Sequence, residues 1–286
     1  MKLPETYNYA EAYLTFRCNQ GCSYCINHIG KFTKRGELMA DGWTKSLNKI
    51  DFGNVPLTLG GGEPTMHPAF YNIVDGLETK IDLLTNLSFD TEEFIKKVNP
   101  DKFTKSETEF YHSIRASYHS EKMDRKELLG KAKRLQNAGF NIGIFGVRHP
   151  YNINDNMAMA FMASKSGVPF YEKDFLGVVD GRLYGFYKYP KGINQVTHDE
   201  SGGEYPLRKT VECKTRELLI DPIGSVYRCH RDLYAGEWGI GNITDDKFRI
   251  DDIFRTCHNF GECNPCDIKL KTNKYLKGVE CQVEIK

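Results

Sequence analysis

The sequence predicts an α/β protein in which six parallel strands are joined by helical crossovers and followed by a small cysteine-rich segment. Short apolar runs alternate with stretches of helical length from Ala12 to Phe175. Alternation this regular implies parallel strands with right-handed connections, arranged as an open sheet or a partial barrel. The nine cysteines fall into two groups, three before residue 26 and six from Cys213 onward, with none between. At 286 residues the chain allows one main core plus a small appendage.

The first predicted strand is Ala12–Phe16, with a cysteine loop at its C-terminal end. A basic loop containing Lys31, Lys34 and Arg35 leads to a helix over Trp43–Ile50, and Val55–Leu59 is a second strand running into Gly60-Gly61-Gly62-Glu63-Pro64. Pro68–Leu77 is a helix with proline in its first turn, Ile81–Thr85 a strand, Thr91–Val98 a helix and Ser113–Tyr118 a strand. Asp124 is suited to cap a helix ending at Ala138, and Gly139 stands where a C-terminal glycine is favoured. Strand Ile142–Val147, helix Asn154–Ser166 and strand Val168–Phe175 complete the alternation. Beyond it, Val178–Leu183 is a hairpin around Asp180-Gly181, residues 190 to 212 form a polar linker, and Leu218–Tyr227 is a hairpin around Pro222-Ile223-Gly224.

A formal net charge of +1 gives no electrostatic case for nucleic acid or an anionic membrane as an obligatory partner. No apolar stretch reaches the roughly 18 residues of a membrane span, and Met1–Tyr9 lacks a signal-peptide core. A cytoplasmic location is therefore expected, with no membrane and no nucleic-acid partner. There thiols stay reduced, so metal binding rather than disulfide formation is the default for the cysteines.

Cys18, Cys22 and Cys25 are spaced C-x3-C-x2-C, with Tyr24 before the last. Three thiolates are one short of closing a tetrahedral structural site, whereas on a four-iron cube they leave one iron open. This triplet resembles the C-x3-C-x-aromatic-C motif of radical S-adenosylmethionine (SAM) enzymes, and Gly61-Gly62-Glu63-Pro64 is similar to that family's GGEP motif. The resemblance implies a partial (β/α)6 TIM-like barrel, with a [4Fe-4S] cluster on the three cysteines. It also implies SAM on the open iron, reductive cleavage to a 5′-deoxyadenosyl radical, and an electron donor such as flavodoxin or ferredoxin. It assigns Tyr24, Gly61, Gly62, Glu63 and Pro64 to the SAM site, with Glu63 and backbone oxygen meeting the methionine amino group. Asn86 follows Thr85 where relatives carry Thr-Asn-Gly, although Leu87 replaces the glycine, and Ser117 stands where a serine bonds the ribose. Gly143-Ile144-Phe145-Gly146-Val147 resembles the strand that packs on adenine; His119 is a candidate polar group at the barrel mouth, and Arg115 and Arg148 are candidate carboxylate binders.

Cys213-x10-Gly224-x4-Cys229, followed by Cys263-x2-Cys266, resembles the SPASM and twitch domains that append auxiliary clusters to such barrels, as do Gly241-Asn242-Ile243 and a helical Asp252-Ile253-Phe254. The resemblance implies at least one auxiliary [4Fe-4S] cluster on Cys213, Cys229, Cys263 and Cys266. Cys257 and Cys281 are left as ligands, hydrogen-atom donors or buried thiols, His230 and His258 are possible completing ligands, and a zinc knuckle is the competing metal reading. The expected organisation is a barrel over residues 1–176, a hairpin and linker over 177–212 and an auxiliary-cluster domain over 213–286. The leading expectation is oxidation or rearrangement of a small polar molecule such as a sugar or aminocyclitol. The alternatives are maturation of a ribosomal peptide and, in a different class, a non-catalytic iron-sulfur or zinc protein.

Overall fold

The computed structural model describes residues 1–25, 36–103, 111–175, 177–184, 186–187, 196–197, 209–261, 263, 267 and 283–286. Its centre is a run of parallel strands β1 (Tyr9–Thr15), β2 (Leu57–Gly61), β3 (Ile81–Thr85), β4 (Ile114–Tyr118), β5 (Ile142–Arg148) and β6 (Phe170–Asp174), each paired with the next. Helices α1 (Ala40–Leu47), α2 (Phe70–Gly76), α3 (Thr91–Lys97), α4 (Arg125–Asn137) and α5 (Ile153–Ser166) lie among the crossovers. Strand order following chain order, with crossovers of one hand, keeps the helices on one face and curls the sheet into a partial barrel.

Side-chain alternation separates the two faces of this sheet. Ala10, Ala12, Leu14, Leu57, Leu59, Ile81, Leu83, Ile114, Ala116, Ile142 and Ile144 share one apolar core with Trp43, Phe70, Ile73, Phe94, Leu128 and Met159 from the helices. The intervening positions turn into the barrel and are polar: Tyr9, Glu11, Thr58, Asp82 and Arg115. Asp82 meets Arg115 Nη1 at 3.0 Å and accepts from Tyr111 Oη, while Arg115 also donates to Thr58 Oγ1. A buried pair surrounded by such donors and acceptors avoids the cost of an uncompensated charge.

Local signals act where the chemistry requires them. Asp124 accepts from the Glu127 amide at the start of α4, and Gly139 beyond its end has φ +90°. Strands β7 (Gly177–Val179) and β8 (Arg182–Tyr184) pair around Asp180 and Gly181, whose φ values of +50° and +75° suit a tight hairpin turn.

The C-terminal region departs from expectation in three ways. After the small ladder β9 (Phe186–Tyr187) and β10 (Val196–Thr197), strand β11 (Lys209–Thr215) begins inside the expected linker. The expected hairpin forms as β12 (Glu217–Ile220) and β13 (Ser225–Tyr227), yet it joins the barrel sheet. Here β12 lies parallel to β1, with Ala10 opposite Leu218 and Ala12 opposite Ile220. All four β12 residues are buried, and the open edge of β1 offers them both hydrogen bonds and cover. The expected division at residue 213 is thus crossed by continuous sheet. Helix α6 (His230–Ala235) and strand β14 (Gly241–Asn242) follow. Residues 252–254 are not helical: they lead into β15 (Arg255–Phe260), which pairs with β11, itself paired with β16 (Val283–Ile285). Three residues without a cap cannot nucleate a helix against that pairing.

Candidate active site

Parallel strands deliver their C-terminal ends to one rim. The cysteine loop leaves β1 there, held at its base by Thr15 Oγ1, which donates to Glu37, and by Arg17 Nη2, 2.8 Å from Glu37 Oε2. The glycine run after β2 packs directly on this base: the Gly62 and Glu63 amides donate to Thr15 O and Arg17 O at 2.9 and 2.8 Å. Any Cβ on Gly61 or Gly62 would collide with those same backbone oxygens, and Gly61 has φ +122°. The glycines therefore secure contact between two strand ends, one of which carries Cys18.

Glu63 is 0 % exposed. Its carboxylate accepts from Thr65 N, Thr65 Oγ1, Thr85 Oγ1 and Asn86 N, and burial raises its pKa against the opposing pull of these donors. Oε1 takes three of these donors and Oε2 only one, so the side chain fixes the turn after β2 to the end of β3 while Oε2 retains acceptor capacity. Pro64 opens a short 3-10 turn beside it. Asn86 extends the chain of contacts, its Nδ2 lying 2.9 Å from Asn19 Oδ1 and 3.9 Å from Cys18 Sγ.

Tyr24 turns to the opposite wall. Its hydroxyl lies 3.1 Å from His119 Nδ1, and its ring stacks on His149 at 5.1 Å and 24° and meets Phe175 edge-on at 6.5 Å. Burial holds both histidines below the ordinary imidazole pKa, with Glu121 pulling the other way. Glu121 Oε1 also accepts from the Ser23 amide at 2.6 Å, fastening the cysteine loop to the turn after β4. Ser117 is half-buried near the end of β4. Sequence reasoning missed Glu121 and His149, although His149 immediately follows a strand and could have been flagged on that ground.

The remaining candidate residues have these surroundings. Gly143 makes room for the His112 ring, and Gly146 for Asn156 and Phe170. Arg115 is 4 % exposed inside the barrel, paired with Asp82. Arg148 is exposed, 3.3 Å from Glu172. Arg115 is therefore committed to Asp82, whereas Arg148 makes only a surface ion pair.

The later cysteines gather as well. Cys213 lies in β11, Cys229 precedes α6, Cys257 lies in β15 and Cys263 just beyond it, whereas Cys266 and Cys281 fall outside the described residues. The four interact electrostatically: burial and then Cys257 push the Cys213 thiol up to about 12; burial and Asp267 raise Cys263, with Cys213 and Cys257 adding to the rise; and burial, Asp267 and Asp232 raise Cys229, with a smaller contribution from Cys263. Cys257, left open from sequence, is thus a neighbour of Cys213 and Cys263. His258 is exposed and within 3.2 Å of Thr210 Oγ1, while His230 is held by carboxylates.

The donor chemistry fits iron-sulfur clusters. None of the described cysteines is in a disulfide. Tetrahedral thiolates on one zinc, at Zn–S about 2.3 Å, stand about 3.8 Å apart. Among the described residues no three cysteine sulfurs lie within 4.8 Å of one another, so no compact three-thiolate zinc site is formed there. Burial pushes the Cys22 thiol up to about 12, with Cys25, Glu121 and Cys18 adding to the rise, so ligation here displaces a proton. No helix among the described residues is long and apolar enough to cross a membrane.

No protein-family model and no curated protein matches the chain. Solved structures do. SuiB of Streptococcus suis matches with a TM-score of 0.55 at 14% identity over 84% of this chain, and a second SuiB structure, with S-adenosylmethionine bound, at 0.54. The structure of anSMEcpe with bound AdoMet matches with 0.55 at 16% identity over 83%. The chain spans 64% of the SuiB structure and 78% of the anSMEcpe structure. The chain shares with these structures its fold, a partial barrel built on the parallel run β1 to β6.

Proposed function

We propose that this chain is a radical SAM enzyme acting on a peptide, with the catalytic cluster on Cys18, Cys22 and Cys25 and an auxiliary cluster on the C-terminal cysteines. What carries the reading is convergence at one rim: the cysteine loop, the Gly61–Pro64 turn, Asn86, and the Tyr24, His119 and His149 wall are linked by direct contacts. Bound there, cluster and SAM supply reductive sulfonium cleavage and hydrogen-atom abstraction. The chain's own residues hold the loop at both ends, through Glu37 and Glu121, fix the glycine turn through Glu63, and present an aromatic and imidazole wall to the reacting groups.

The substrate class rests on the structural neighbours. SuiB has been crystallised with the precursor peptide SuiA and anSMEcpe with the Cp18Cys peptide, which supports the peptide alternative over a sugar or aminocyclitol. A flavodoxin or ferredoxin remains the proposed electron source. Anaerobic protein with dithionite and SAM should form 5′-deoxyadenosine, and Cys22→Ala should not. A peptide encoded beside this gene should change mass in the same reaction. SAM cleavage with every such peptide unchanged would defeat the peptide reading; no cleavage would defeat the radical SAM reading.

A further inference from the structure

A second group of ligating side chains lies away from the rim, at the seam of β1, β12 and α6. Glu217, His230 and Asp267 each bring one ligand atom within 4.8 Å of the others, and all are buried, at 2, 3 and 1 % exposure. His230 Nδ1 is 2.9 Å from Glu217 Oε2 and 2.9 Å from Asp267 Oδ1. An imidazole nitrogen has a single in-plane direction for a proton or a lone pair, so one N–H cannot point at both oxygens. A cation can meet both: with metal–oxygen and metal–nitrogen bonds of about 2.1 Å, neighbouring ligands on an octahedral ion stand about 3.0 Å apart.

The far side of the ring agrees. With Nδ1 on a metal, Nε2 carries the proton and faces Glu11 Oε2 at 3.6 Å, an ion-pair distance rather than a direct hydrogen bond. Glu11 Oε2 in turn accepts from the Tyr9 hydroxyl at 2.7 Å. A carboxylate behind a ligating histidine is the usual device for fixing its tautomer and ring orientation. Asp267 is oriented independently by the His230 amide, 2.9 Å from Oδ1, and Tyr9, Tyr13 and Tyr234 surround the ring.

The geometry points to a divalent-cation site formed by Glu217, His230 and Asp267, with Glu11 behind the ring, which adjoins the later thiol group through Cys229 and Cys266 but uses none of its sulfurs and is independent of the proposed radical chemistry. One imidazole with carboxylate oxygens suits Mn2+, Fe2+ or Zn2+. A cation here ties three stretches distant in sequence, β12, the start of α6 and the chain after Cys263, to the edge of β1.

Mn2+ alone is the probe. In crystals of the cluster-loaded protein soaked in Mn2+, anomalous diffraction between the manganese and iron absorption edges should place one peak beside His230 Nδ1. In solution one Mn2+ per chain should bind, falling at least tenfold in affinity in Glu217→Gln and, through the orienting carboxylate alone, about 10- to 100-fold in Glu11→Gln. Iron content and the circular dichroism spectrum, unchanged in Glu11→Gln, separate lost ligation from lost folding. Absence of the peak, or Mn2+ affinity unchanged in both variants, overturns the site and leaves a protonated imidazole shared by two carboxylates.

Discussion

The barrel and the C-terminal region solve the problem of cohesion differently. In the barrel, alternate strand positions and the helices build one apolar core, and the polar positions are left to face inward. The C-terminal region lends Leu218, Ile220, Val226, Ile243 and Phe248 to that same core, while its second apolar cluster, Tyr13, Phe16, Leu219, Tyr227 and Leu233, is small and takes two of its members from β1 and the residue after it. Its remaining cohesion comes from a three-stranded sheet, ion pairs such as Arg228 with Asp232 at 2.5 Å, and a group of buried thiols. A region poor in apolar burial benefits from a metal staple; one rich in it does not.

Core truncation should therefore separate the regions most sharply. Trp43→Ala removes a fully buried side chain and should cost about 3–5 kcal/mol. The thermal midpoint of the barrel should fall equally in iron-loaded and iron-free protein; rescue by iron would make the barrel metal-dependent and erase the contrast. On the other side, Cys213→Ala should leave the barrel transition in place but make the chain beyond Lys209 sensitive to limited proteolysis. Loss of the barrel transition with it would mean that β12 cannot hold β1 without the staple.

At the rim, Glu121→Ala removes the carboxylate acceptor of the Ser23 amide, a contact of about 1.5–3 kcal/mol for a charged acceptor. The catalytic cluster should then be lost faster to chelator while the auxiliary one is kept, which iron release kinetics would resolve. Gly61→Ala should be worse tolerated than its backbone strain of about 1–3 kcal/mol alone suggests, because the new Cβ also meets Thr15 O. Its readout is loss of 5′-deoxyadenosine formation with the C-terminal cluster intact.

The smallest effect is a pH dependence inside the barrel. Burial holds the His112 imidazole below its ordinary value of 6.5, with Asn141 raising and Arg115 lowering it further. As pH falls through 6.5 the unfolded chain takes up a proton that the folded chain refuses, so this contribution to stability is lost toward acid. Thermal midpoints at about pH 7.5 and about pH 5.5 should differ less in His112→Gln than in the parent.

The same contrast explains what could be read from the sequence. Ile81–Thr85 is the strand expected, Asp124 caps α4 and Asp180-Gly181 turns the hairpin, because each follows from local chemistry. The pairing of β12 with β1 joins residues about 200 apart, and nothing in Glu217–Ile220 names its partner. Strand β11 was hidden in a polar linker because Lys209–Thr215 is shaped by its neighbours β15 and β16 rather than by its own pattern. At the rim, motifs located the cysteine loop, the glycine turn and Asn86. They could not reveal that Glu63 is engaged by its own protein, that Arg115 belongs to Asp82, or that Cys257 joins the later thiols.

The central claim, two cluster sites held by two different parts of the chain, is tested most directly by iron and sulfide counting with Mössbauer spectroscopy on reconstituted protein and on the Cys18, Cys22, Cys25 triple Ala variant. About eight irons in the parent, falling to about four in the variant, is the expected result for one four-iron cube at each site. Zinc in place of iron in the variant, or an iron content that the triple substitution leaves unchanged, would contradict it.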